Sequence, residues 1–141
     1  MRGGILMRAA VLLVALASAP RAGAAGTGVE GPEEAARAWL AVVDQGPCEE
    51  SWESAAMLLD RAVGQPEWRA RVSAVRASLG PVVSRALSSG HSAESLPGAP
   101  DGSYVVHELT TVLRNGKESF ETVVPVRGQD GAWRVSDYFV R

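Results

Sequence analysis

The side chains of this 141-residue chain with the pKa range or ligand character for chemistry are few: two histidines, one cysteine and scattered carboxylates. His91, His107 and Cys48 lie far apart, with no C-x-x-C or H-x-x-x-H spacing. Metal sites need several ligands at convergent spacing, so no metal and no cofactor is expected. No G-x-S-x-G elbow and no glycine-rich phosphate loop occurs, and no base stands beside Cys48, so the usual routes to an activated nucleophile are missing. His107 is the titratable group that could do most. Strand alternation puts it on one face with Val105, Leu109, Thr111 and Leu113, the face turned toward the helices. With Asp137 and Tyr138 of the closing strand it would make the polar cluster that proton transfer needs. The preferred reading is plainer: a core histidine holding one hydrogen bond, with His91 a solvated loop residue.

Four tryptophans offer contact area for a ligand or a partner. Trp39, Trp52, Trp68 and Trp133 all fall on inward stripes, where burial of such a side chain contributes about 2 to 3 kcal/mol. Trp52 and Trp68, near helix starts, are the ones expected to reach the surface as binding residues. Asp101 joins them, in the proline- and glycine-dense run 96–102. Such a loop can carry recognition, although turn geometry alone also explains its composition. Arg85 and Glu121 are expected to form a cross-strand ion pair, worth about 1 kcal/mol or less if exposed.

The elements that position these residues follow from hydrophobic period. Pro32 with Glu33 and Glu34 opens a helix at its positive end, and Ala35, Trp39, Val42 and Val43 make its apolar stripe. A second helix is expected over 49–63, with Trp52, Ala55, Ala56, Leu59 and Val63 inward. A third begins near Pro66, carries Trp68, Val72, Val75 and Leu79, and ends at Gly80-Pro81. Beyond Pro81 the period becomes strand-like. Strands are expected over 82–89, 103–113, 118–126 and 132–140, with hairpin turns at Asn115-Gly116 and Asp130-Gly131. Three N-terminal helices on one face of a curved four-stranded antiparallel sheet make an α+β fold.

The N-terminus has the parts of a secretory signal: Arg2 and Arg8, an apolar run over 9–17, and small residues at Ala22-Gly23-Ala24, with cleavage expected after Ala24. The run is too short to span a membrane before Pro20 and Arg21 interrupt it. The domains expected are therefore a signal peptide over 1–24, a flexible leader over 25–31 and one α+β domain over 32–141. No stable membrane anchor is expected after cleavage. Net charge is −2, and loss of Arg2, Arg8 and Arg21 leaves the remainder more acidic. That balance argues against nucleic acid or an anionic membrane surface as partner. One cysteine cannot close an internal disulfide, so Cys48 is read as a buried thiol. Lys117 stands alone among arginines, which with the abundant alanine and glycine suits a bacterial chain from a GC-rich genome exported to the periplasm or beyond.

Several motifs together carry a resemblance. They are Trp39-Leu40 with Val43-Asp44 and Gly46, Ser51-Trp52, Leu79-Gly80 with Ser84-Arg85, the run 96–102, and Asp130-Gly131 with Trp133-Arg134-Val135 and Tyr138-Phe139-Val140-Arg141. As a set they resemble an uncharacterised bacterial family, domain of unknown function 4019, over nearly the whole chain after the signal. The resemblance implies a small exported domain with no assigned activity. Cys48 and His107 depart from its pattern, standing where an aromatic and an apolar residue are usual. The order of helices then sheet is also similar to the nuclear-transport-factor-2 and cystatin group of folds, which by itself implies no function.

The reading that follows is a non-enzymatic exported module binding an unidentified protein or small-molecule ligand, through the sheet-helix pocket or the 96–102 loop. A small pocket hydrolase or isomerase with His107 as base is the alternative from another class. Envelope scaffolding through a sheet edge is the third.

Overall fold

Gly31 carries a carbonyl that accepts from Ala35 N–H at 3.0 Å, and from there the first helix, α1, runs over Pro32–Asp44 with its proline in the first turn. The computed structural model describes residues 31–46 and 49–141. The expected signal peptide with its cleavage point Ala24, the leader up to residue 30, and Cys48 lie outside the described residues. α1 buries Ala36, Trp39, Leu40 and Val43. Ala35 and Val42, expected on the stripe, sit half-buried at its margins.

The helix expected over 49–63 is instead two short ones, α2 (Glu49–Glu53) and α3 (Met57–Ala62). Helix periodicity continues through Ala55 and Ala56, which are both buried. A tertiary contact breaks the helix there: Ala56 N–H donates to the carbonyl of Val135 at 2.7 Å, on the last strand of the sheet. The described residues thus hold four helices where three were expected. α4 (Gln65–Leu79) starts with a proline in its first turn and ends at Gly80. Gly80 takes φ +70 and donates its N–H to Arg76 O at 2.9 Å. Only a residue without Cβ adopts that turn cheaply. Trp68 and Val72 are buried on α4, while Val75 and Leu79 are half-buried.

The chain then forms one antiparallel meander in the order β1-β2-β3-β4: β1 Val82–Ala93, β2 Tyr104–Leu113, β3 Glu118–Arg127 and β4 Trp133–Val140. β1 runs beyond its expected end because Ser92 and Ala93 still pair, with Val105 and Tyr104. Both β2–β3 and β3–β4 turns use their glycine, but neither is the two-residue loop expected. Gly116 has φ +80 and Gly131 φ +82, while no non-glycine residue among those described has positive φ. Gly116 N–H donates to Leu113 O and Leu113 N–H to Lys117 O, each at 2.9 Å. The 128–132 turn repeats this with Gly131 to Gly128 O and Gly128 to Ala132 O. These are three-residue loops closing on a left-handed glycine.

Register irregularities between Val82 and Ser84, between Leu87 and Ser89 on β1, and between Val124 and Pro125 on β3 bend the sheet. The helices cover one face. α1 lies over β2, β3 and β4, α3 lies on β4, and α4 packs on α2. The core between the layers holds Trp39, Leu40, Val43, Leu59, Trp68, Val72, Leu109, Val123 and Val135. On the other face Phe120 and Phe139 are each 53% exposed.

Candidate functional site

Burying a carboxylate is costly unless it is paired and hydrogen-bonded, and Glu121 on β3 is 0% exposed. Its Oε1 accepts from Arg85 Nε at 2.6 Å and Thr111 Oγ1 at 2.5 Å. Its Oε2 accepts from the Tyr138 hydroxyl. Arg85 turns its other nitrogens to Asp44 at the end of α1, Nη1 to Oδ2 at 2.5 Å and Nη2 to Oδ1 at 2.7 Å. Arg76 of α4 adds Nη1 to Asp44 Oδ1 at 2.7 Å. One chain of charges therefore ties α1, α4, β1, β3 and β4 together.

Burial pushes the Glu121 carboxyl up, but the hydrogen bonds from Arg85, Thr111 and Tyr138 outweigh it and hold the group below the ordinary carboxylate range. Burial, then the charge of Glu121, raises the Tyr138 phenol well above its usual value. For Arg85, burial opposes the charged form and the two carboxylates more than offset it. Both oxygens of Glu121 and of Asp44 accept at least one of these bonds, so the network holds the layers together.

The expected triad of His107, Asp137 and Tyr138 does not assemble by hydrogen bonds. His107 shares a row with Tyr138 through Val123, yet neither of its ring nitrogens has a partner among the described residues, although the residue is only 5% exposed. Burial lowers its pKa; Glu33 works against that shift and Arg37 with it. Gly90 lies opposite, where a Cβ would come within 3.3 Å of the ring nitrogen Nδ1. Tyr138 points to Glu121, as above. Asp137 Oδ1 accepts from the Tyr138 N–H at 2.9 Å, and burial raises its pKa. His91 is exposed, on β1 and not in a loop.

The tryptophans anchor the helices. Trp39 Nε1 donates to Ser51 O at 2.8 Å and Trp68 Nε1 to Ser51 Oγ at 2.9 Å, so one buried serine holds both. Trp52 is half-buried and donates to Val63 O at 2.9 Å. Trp133 is half-buried on β4.

Several clefts open among the described residues, and two have largely apolar walls. The first, about 760 Å³, runs beneath the 96–102 loop. Ala55, Ala56, Tyr104 and Val126 give it an apolar floor, and Asp101, Arg127, Asp130 and Arg134 form its rim. Tyr104 props the loop by donating to Pro100 O at 2.6 Å. Asp130 and Arg134 satisfy each other at 2.7 and 3.0 Å, which with the Ala132 N–H brings the Asp130 pKa to about 2. Arg127 and Asp101 are exposed and have no ion-pair partner among the described residues. The second, about 560 Å³, is a groove between α4 and β4 that includes Trp68, Val72, Val75 and Tyr138.

The family model described as a protein of unknown function, DUF4019, matches residues 35–138. The chain belongs to the DUF4019 family. No curated protein and no solved structure matches it. The DUF4019 segment contains Asp44, Arg76, Arg85, Glu121 and Tyr138, and both clefts lie largely within it. Among the described residues no helix of this DUF4019 chain is long and apolar enough to cross a membrane.

The sequence pointed to the Arg85–Glu121 pair, which forms. Asp44 was singled out only within the family motifs, and Arg76 and Arg127 were not singled out at all. One signal was legible: Glu121 shares strand parity with the apolar Val123, so it had to face the core.

Proposed function

We propose that this chain is an exported, non-enzymatic binding module whose small-molecule ligand enters the cleft beneath the 96–102 loop. The carrying observation is a contrast in charge satisfaction. Buried Glu121 and its partner Arg85 are held by neighbours on every side, whereas Arg127 and Asp101 on the rim of a 760 Å³ cleft have no ion-pair partner among the described residues. An apolar floor with few directed polar groups is what small-ligand sites generally present. Helices followed by a meander are read as the nuclear-transport-factor-2 and cystatin kind of architecture, and that analogy supports a binding role no further than its shape.

The test is a thermal-shift screen of small amphiphilic acids and zwitterions against purified protein, followed by titration of the hits. Hits should weaken about tenfold or more in Arg127→Gln, the worth of one charged hydrogen bond, with the melting temperature of the free protein unchanged. Hits that bind the variant equally well would place the site elsewhere. Steady hydrolysis of a small ester, lost in His107→Ala with folding intact, would refute the non-enzymatic reading and favour the pocket hydrolase.

A further inference from the structure

The last strand of the sheet has one neighbour, β3, and its far side opens on the α4 groove. Antiparallel ladders alternate between residues that bond across the strand pair and residues whose backbone points away. Arg141 and Phe120 exchange both backbone bonds, at 2.8 and 2.9 Å. The register then turns the N–H and C=O of Val140 and Tyr138 away from β3, into the groove.

Two of the outward groups on this edge are already occupied. Val135 O accepts from Ala56, and Tyr138 N–H donates to the Asp137 carboxylate. The Val140 N–H and C=O and the Tyr138 C=O have no partner among the described residues. The opposite wall is apolar, with Trp68, Val72 and Val75 of α4. Asp137 is the half-buried acid at this edge, and no cation lies within ion-pair distance of it among the described residues. Arg71, which also lines the groove, is held by Glu67 at 2.6 Å.

We infer that this groove accepts a short extended segment of another protein, added as a strand beside Tyr138 and Val140, with apolar side chains against α4 and a basic side chain on Asp137. Backbone bonds to an edge supply affinity in such additions, and alternate side-chain pockets supply selectivity. The charge left on Asp137 selects lysine or arginine over any acidic residue, because a half-buried carboxylate repels a like charge and gains from an opposite one. The groove is separate from the cleft beneath the 96–102 loop, so either can fail alone.

The probe is a short acetylated peptide of alternating valine and threonine with lysine, glutamine or glutamate at its centre, titrated into the full domain while amide exchange is followed by NMR. The lysine peptide should slow exchange of the Val140 amide roughly tenfold or more, and the glutamate peptide should not. Asp137→Lys should invert that preference, while Val83→Glu, on the far edge of the sheet, should leave it unchanged. Ala74→Tyr fills the groove from an exposed helix position without touching the core, and should abolish binding by every peptide. No Val140 protection at millimolar lysine peptide, or equal binding of the acidic one, overturns the inference. So does Val140 protection that rises with protein concentration in the absence of peptide, since the occupant would then be a second copy.

Discussion

His107 is held where an imidazole has little reason to be. Its ring is buried, both nitrogens lack partners among the described residues, and the charged groups acting on it, Glu33 and Arg37 of α1, oppose each other. On its own sheet it meets Gly90 of β1 and Val123 of β3, neither of which carries charge. Burial lowers its pKa from the usual 6.5, so the unfolded chain binds a proton that the folded one refuses. The sign follows: stability is complete above about pH 6.5 and falls as pH drops below it. Urea titrations of His107→Leu should lose this slope below about pH 6.5. The variant should also be more stable at pH 7, by about 1 kcal/mol, because an unsatisfied polar group is replaced by an apolar one. A variant that is less stable, with the slope intact, would mean the ring has a hydrogen bond that the fold conceals.

At the scale of elements, the Arg85 network decides how helices sit on the sheet. The pair foreseen with Glu121 does form, but it reaches across β2 rather than between adjacent strands, with Thr111 of β2 bonded to the same carboxylate. It is also buried, the Arg85 side chain being 10% exposed and Glu121 0%. Such a pair adds little over a well-packed apolar replacement, but breaking it leaves a charge in the core. Arg85→Met should therefore cost about 3 kcal/mol or more, a large part of the stability of a domain this size. Arg85→Met with Glu121→Gln should recover part of that loss in chemical denaturation. A single variant costing under about 1 kcal/mol would show the carboxylate reaching water. Glu121 itself, held below its usual 4.5, stabilises the fold above that pH and stops doing so as pH falls past it.

The strands and their order were legible because alternation changes at Pro81 and glycine marks each turn. The split at Ala55 and Ala56 was not, because helix-spaced alanines give no hint that one amide will be claimed by Val135. Arg127 and Asp101 were separable only as loop and strand charges. Their meeting at one rim follows from β2 pairing with β3, where Tyr104 lies opposite Val126. Arg76 carried no signal in the sequence, and it is packing against Asp44 that draws it in.

For the whole molecule, the proposal of export is tested most directly by mass. Full-length chain expressed in a bacterial host should appear in the periplasmic fraction with Ala25 as its first residue; a product that keeps Met1 and stays with the membranes would end that reading. The bond from Ala56 to Val135 has a further consequence for how copies can meet. It occupies the start of the last strand, so only a stub near the chain end can be joined from outside. β1, at the other rim, is twelve residues long. A long rim meeting so short a stub pairs over that stub alone, so most of the β1 edge gains nothing from head-to-tail contact.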